Sequence, residues 1–510
     1  MNVILAAACR WTPRLSARQA ETERFGGGPP IRLDPLACRP RTFIRPEGAV
    51  GCPERAGWIE HAMDDIFSVQ EIWKLGVLGI LGVAAFVQTL RSAQFPMVFI
   101  GAMLFISTMG LTEDANRGSE YRTWLFALQV NRQLVYMLCA GMVMLGVAIH
   151  ASRINTRTVP GLGIGMMLLG VYMGLITIFH SGPIAGLLAV ALSVFSVGTM
   201  LIFLASQMRS WEEIMTVLRV FVMVGCLWTL ACIIQFLIDQ TMLTTGFSSR
   251  RFVGLTGNPQ HAAGFAAVMA TVGFWVYVND SSKRWRTLAV ICATTHVVFV
   301  LWTASRTGLA MTVMGFTGVL YTRLGRSVFL APVAVVVGYG LLLLAEAMGV
   351  RFGFDRLVST DDTRSHKWTT LFENGMASPV IGVGLEEAGG SENGFLYGFA
   401  AFGIGVPIIL AILMLATLGL CLRLIKTRFD TPNPIGKRLI DLTLAFFAMY
   451  WAGNMFEGFG VARISPQLCF FVIFACMASS MFAIVQDEAA MALEEPSETP
   501  EDDYPAPIRV

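Results

Sequence analysis

Residues 184–206 read IAGLLAVALSVFSVGTMLIFLAS, 23 positions without a charged side chain. A helix needs about 20 apolar residues to cross the hydrocarbon of a bilayer. A run this long, with no polar face, does not fit the surface of a soluble domain. Further runs lie near 72–90, 94–111, 133–150, 161–179, 214–238, 261–279, 286–303, 306–322, 327–349, 394–422, 438–456 and 464–486. Together they make 13 candidate spans, or 12 if one of the first two is interfacial. Composition agrees: 55% of the chain is hydrophobic and 14% charged, where soluble domains run to about a quarter charged. An ordinary soluble enzyme, a disordered chain and a nucleic-acid binder are excluded. The expected fold is an all-α integral membrane protein with 12–13 transmembrane helices.

The flanks differ from this middle. Residues 1–65 are rich in Arg, Pro and Gly and show no helical period. They read as a disordered N-terminal tail, or as a start-site artefact, since Met63 stands directly before the first apolar run. The opening MNVILAAAC is too short for a signal peptide and lacks a basic start. Residues 66–486 form the polytopic membrane domain. Residues 487–510 carry eight acids against Arg509 and read as an acidic, disordered cytoplasmic tail.

Loop charge gives an orientation. Arg153 and Arg157, Arg209, Lys283 with Arg284 and Arg286, Arg323 with Arg326, and Arg423 to Arg438 fall on every second connection. By the positive-inside rule these face the cytoplasm. The other connections then face outward, and two are long: 239–260 and 350–393. Long loops among short ones are usually functional. No internal repeat is visible, which weakens a transporter built from inverted repeats.

Basic residues on the outer side run against this trend. Arg250 and Arg251 lie in SSRRFVGLTGNPQHAAG, Arg306 in TASRTGLA and Arg364 in DDTRSHKW. Guanidinium forks pair bidentately with phosphate oxygens and stay charged at working pH. Their convergence would suit a pyrophosphate at the membrane surface; lipid headgroups, or Asp361 and Asp362, are the bland partners. Asn258 is expected to cap the helix after it. His261 caps it too or meets substrate. The Gly-rich stretch from Gly382 to Gly390 precedes Glu392, which stands at the membrane edge before an apolar run. There Glu392 is either a base for an acceptor hydroxyl or a charge complementing a helix N-terminus. Trp368 offers a face to a sugar ring, and His366 is a second acid–base candidate.

Ten cysteines form no CxxC or Cys/His cluster, so neither a zinc site nor a disulfide framework is indicated. His296 reads as a packed histidine and Asp441 as a partner of Lys437 or Arg438.

In this order and spacing the pieces resemble the O-antigen ligase and O-antigen polymerase (Wzy-like) superfamily of bacterial polysaccharide-assembly membrane proteins. They are Arg251, Gly254, Asn258 and Pro259; the turn Ser305–Gly308; Arg364 before Lys367-Trp368; Ser378 to Gly384; and Asn393 with Gly403 and Gly405. The similarity is clearest over 250–410. It implies a GT-C-like glycosyltransferase architecture, with a large periplasmic loop (350–393) before the last three helices. It also implies a metal-independent, inverting enzyme without cofactor in the bacterial inner membrane. Such an enzyme moves a glycan from undecaprenyl pyrophosphate to an acceptor hydroxyl. Carried over residue by residue, Arg251, Arg306 and Arg364 would hold the pyrophosphate, and Asn393 would lie at the substrate.

Many members have His-Asn where this chain has Glu392-Asn393. That departure favours a polymerase of exopolysaccharide or O-antigen repeat units over a ligase acting on lipid A-core or protein. Expected partners are the lipid-linked oligosaccharide, the bilayer, and a chain-length regulator or export complex. A flippase or transporter, or a non-catalytic subunit of such a complex, are the other readings.

Overall fold

The computed structural model describes residues 88, 92, 95–110, 113–114, 119–120, 123–150, 158–244, 251–325, 364–390, 392–461 and 464–494. The expectations for Arg250, for the spans 72–90 and 327–349, for both tails outside these ranges and for residues 350–363 fall elsewhere. Nearly all the described residues belong to one of the two units into which the chain divides, and that unit is the subject here.

Its helices are α1 Met97–Ser107, α2 Phe126–Val130, α3 Arg132–Ile149, α4 Gly161–Ser181, α5 Pro183–Gln207 and α6 Trp211–Asp239. Next come α7 Pro259–Asn279, α8 Lys283–Trp302, α9 Arg306–Leu324 and α10 Ser365–Ala377. The last four are α11 Gly394–Phe402, α12 Gly405–Asp430, α13 Pro434–Phe456 and α14 Pro466–Glu494. Two two-residue strands, Glu113–Asp114 and Ser119–Glu120, pair antiparallel. Among the described residues nine helices are long and apolar enough to cross a membrane: α3 to α8 and α12 to α14. The protein is therefore a multi-pass α-helical membrane protein. α9 has 19 residues and packs against α7 and α13, and is not among those nine.

The outer surface argues the same point. On α12, Ile408, Ile412, Leu415, Leu418, Leu422, Ile425 and Phe429 are all exposed. They recur every three or four residues and so form one stripe. In water such a stripe would be a large apolar patch; against lipid tails it is the surface required. α7 and α14 are instead enclosed almost all round, with Phe265, Phe470, Phe471 and Phe474 shut off from solvent. Small residues allow close approach, as where Gly308 of α9 meets Ala263 of α7.

Helix starts follow local chemistry. Asn258 accepts from the N–H groups of Gln260 and His261, with Pro259 at the first helical position. Asn433 does the same before Pro434, and Ser305 accepts from Gly308. Each satisfies donors that have no partner in the first turn.

The run 394–422 is not one helix. It breaks at Gly403, whose φ is +77°, and resumes as α12. A Cβ at Gly403 would stand 2.2 Å from the Val380 carbonyl oxygen, so the break belongs to a docked loop. Val383 N–H donates to Ala400 O at 2.8 Å, Gly384 N–H to Ala401 O at 3.2 Å, and Ile404 N–H to Pro379 O at 2.8 Å. The Ser-Pro…Gly-x-Gly segment thus pairs with the carbonyls that the end of α11 leaves open. His180, at the end of α4, holds the same segment through Nε2 and the Ile381 carbonyl, 2.9 Å apart.

Candidate functional site

Because the long helices alternate in direction, the segments singled out in the sequence gather at one end of the bundle. Phe252 N–H donates to Trp302 O, and Gly110 N–H donates to Leu255 O. Arg364 reaches α9 and the end of α13. Gln467 Nε2 donates to His261 O at 3.4 Å.

Arg364 lies at the centre, immediately before α10. Its Nη2 donates to Glu457 Oε1 at 3.1 Å and to Thr307 Oγ1 at 3.3 Å. Its Nη1 donates to the Phe456 carbonyl at 3.2 Å, and its guanidinium stands over the Phe456 ring, 5.3 Å from the centroid. Thr307 Oγ1 also donates to Glu457 Oε1 at 3.3 Å. The Arg364 side chain is 26% exposed and that of Glu457 only 2%. A carboxylate is therefore buried behind a guanidinium that faces out.

Three residues further along, on the first turn of α10, Lys367 forms an ion pair with Glu392. One Glu392 oxygen takes this pair while the other is shut off from solvent. Glu392 is close enough to Glu457 for the two carboxylates to repel. Burial pushes the Glu457 carboxyl up to about 7; the Arg364 charge lowers it, Glu392 raises it, and the Thr307 hydroxyl lowers it. A carboxyl in that range can accept or release a proton at neutral pH.

The other expected site residues have distinct surroundings. Arg251 is buried and its Nε donates to Thr303 O at 2.7 Å, bracing the turn between α8 and α9. Ala304 in that turn has φ +48°, a conformation a side chain adopts only when neighbours hold it there. Arg306 is exposed at the start of α9, one residue before the Thr307 that Arg364 contacts. Asn258 caps α7, as expected. Asn393 caps α11, accepting from Phe395 at 2.9 Å and Leu396 at 3.1 Å, with φ +114°; its side-chain oxygen is committed to the fold. His261 is half-buried and stands edge-on to Phe459, 5.8 Å between centroids. His366 is exposed on α10, and Trp368 on the same helix is half-buried with its indole N–H enclosed. Arg364, Lys367, Glu392 and Arg306 are thus brought to one end, while Arg251 and the two asparagines build its frame.

Sequence reasoning missed Glu457 and Thr307, and took Lys367 only as a motif letter. The available signal for Glu457 was its position: an acid at the end of a span on the side expected to face outward, in a short connection with few other charges. Arg132, which begins α3 and bonds the Met109 carbonyl, also sits at this end and acts electrostatically on His261.

At the opposite end, Arg219 pairs with Asp280. Asp441 pairs with Arg428 at 2.7 Å; it does not pair with Lys437 or Arg438 as expected. Arg438 instead donates to Asn279. Arg428 lies on α12, across the turn from Asp441 on α13, and reaches back to it. His296 is a packed histidine, stacked on Trp228 with its Nδ1 2.8 Å from the Cys292 carbonyl oxygen.

Compared with known proteins, the chain matches no family model and no curated protein.

Proposed function

We propose that this protein is a polysaccharide polymerase of the O-antigen polymerase and ligase kind. It would sit in a bacterial inner membrane with its active face to the periplasm. It transfers a glycan from undecaprenyl pyrophosphate to a hydroxyl of another lipid-linked repeat unit. The observation that carries this reading is the cluster of Arg364, Glu457, Lys367 and Glu392. It lies at the end of the bundle where the resembling segments meet, beside the exposed Arg306. The donor class and the GT-C-like architecture come from the resemblance alone.

In this mechanism Arg364 and Arg306 neutralise the pyrophosphate as it leaves, the electrostatic contribution that usually dominates such catalysis. The acceptor oxygen attacks the anomeric carbon from the face opposite the pyrophosphate. The bond from that carbon to the phosphate oxygen breaks and the configuration inverts. The hydroxyl proton passes to Glu392, which Lys367 orients.

The test is deletion of the gene followed by analysis of lipid-linked and surface glycans. Single repeat units left on lipid, with no long polymer, support a polymerase. Long polymer left on lipid identifies a ligase instead. Unchanged glycans in cells carrying only Arg306→Ala or Arg364→Ala would remove both readings.

A further inference from the structure

Glu457 and whatever approaches from solvent compete for one guanidinium. Glu457 lies behind Arg364 and is almost completely enclosed, while Arg364 keeps part of its surface open. The Phe456 carbonyl and the Thr307 hydroxyl hold the guanidinium in place from either side. We infer that Glu457 couples the binding of an anionic phosphate group at Arg364 to the uptake of one proton from solvent. This rests on the reading of the Arg364 end as a pyrophosphate site.

Among the described residues, the charged and polar groups facing Glu457 come from three elements. Arg364 precedes α10, Thr307 lies on α9, and Glu392 precedes α11, its charge partly offset by Lys367. An anion at Arg364 draws on the attraction that keeps Glu457 ionised. It also adds negative charge nearby. Both effects favour the protonated carboxyl. Protonation need not undo the arrangement, because a neutral carboxyl keeps an acceptor oxygen for Arg364 and gains a hydroxyl donor. The balance of burial, Arg364 and Glu392 already places this carboxyl at about 7, so a modest change in field alters its charge at neutral pH.

The direction follows from linkage. Where Glu457 is ionised before binding and neutral after it, affinity falls as pH rises. Where it is already neutral, affinity is flat. The coupling also brings a compensating positive charge into the site with each anionic donor. A buried carboxylate would otherwise oppose that donor.

The experiment uses the full-length protein in nanodiscs of zwitterionic lipid. The probe is a synthetic farnesyl-pyrophosphoryl sugar, a diester whose charge does not change near neutrality. Calorimetry in buffers of different ionisation heat counts the protons taken up. Near neutral pH a fractional uptake is expected, with affinity weakening about three- to tenfold from about pH 6.5 to about pH 8.5. Glu457→Gln should abolish both the uptake and the pH dependence. Glu392→Gln should keep them, with the midpoint moved to lower pH.

Binding with no proton uptake in the wild-type protein would overturn the coupling and leave the proposed function standing. This measurement needs no variant to fold. Binding unaffected by Arg364→Ala would remove the anion site, and the coupling and the pyrophosphate reading with it. An anionic phospholipid that alone elicits the uptake and blocks the probe would keep the coupling. It would make a lipid headgroup the occupant and count against the polymerase.

Discussion

The two ends of the bundle treat charge differently. At the end expected to face the cytoplasm, each buried aspartate has an arginine of its own. Arg219 holds Asp280 through two bonds of 2.8 and 3.2 Å, and Arg428 holds Asp441. Each pair joins two helices, α6 to the end of α7 and α12 to α13. At the opposite end two carboxylates share a neighbourhood with Arg364 and Lys367, and the carboxylates repel each other. The first arrangement locks helices together. The second leaves an electrostatic conflict at the surface of the bundle, and such conflicts gather where charge has work to do.

Arg364→Ala should break this contrast most sharply. It is expected to lower polymer formation by about 100-fold or more, the scale for losing a charge that stabilises a transition state. Single-turnover transfer assays would measure it, while thermal melting in detergent near neutral pH should move little, since the buried Glu457 carboxyl can take up a proton once the guanidinium is gone. Asp280→Asn should do the reverse. It leaves Arg219 without its main partner and is expected to destabilise the fold by about 3 kcal/mol, with turnover per folded molecule unchanged. If Asp280→Asn instead impaired turnover at constant fold, the two ends would not be functionally distinct.

Smaller effects sharpen the picture. Glu392→Gln should slow transfer by at least tenfold if Glu392 takes the acceptor proton, without loss of donor binding. Unchanged turnover would reduce Glu392 to a helix-end charge. Asn393→Ala removes a cap and places alanine at φ +114°, so a loss of about 1–2 kcal/mol in stability is expected. Asn393→Gly relieves the backbone and should cost less. Equal losses in the two variants would show that the cap, and no backbone strain, is what Asn393 supplies.

Much of the fold was legible because bilayer crossing is written locally. Apolar runs at 161–179, 184–206, 214–238 and 261–279 lie within α4, α5, α6 and α7 to within a few residues. The caps at Asn258 and the start at Pro259 were equally local. The 394–422 run misled because hydropathy does not register a backbone break. Only the approach of the 379–384 segment to within van der Waals contact makes Gly403 a stop. The site was half legible. The arginines and Glu392 could be singled out by the side that loop charge assigns them, but the sequence did not show that Arg251 also braces a turn whose carbonyl lies 52 positions away.

The amino-acid sequence by itself determined that this chain crosses a membrane many times, and which segments collect at each end. Those properties depend on the length and polarity of continuous runs, and neighbours along the chain settle them. Only the tertiary structure decided which acid meets which base. Glu457 stands 93 residues from Arg364 and Glu392 stands 25 from Lys367, and no local pattern relates either pair. Their pairing follows from the order in which the helices pack. Burial at that junction then sets the charge on Glu457, because moving a carboxylate away from water disfavours its ionised form whatever the residues beside it in sequence.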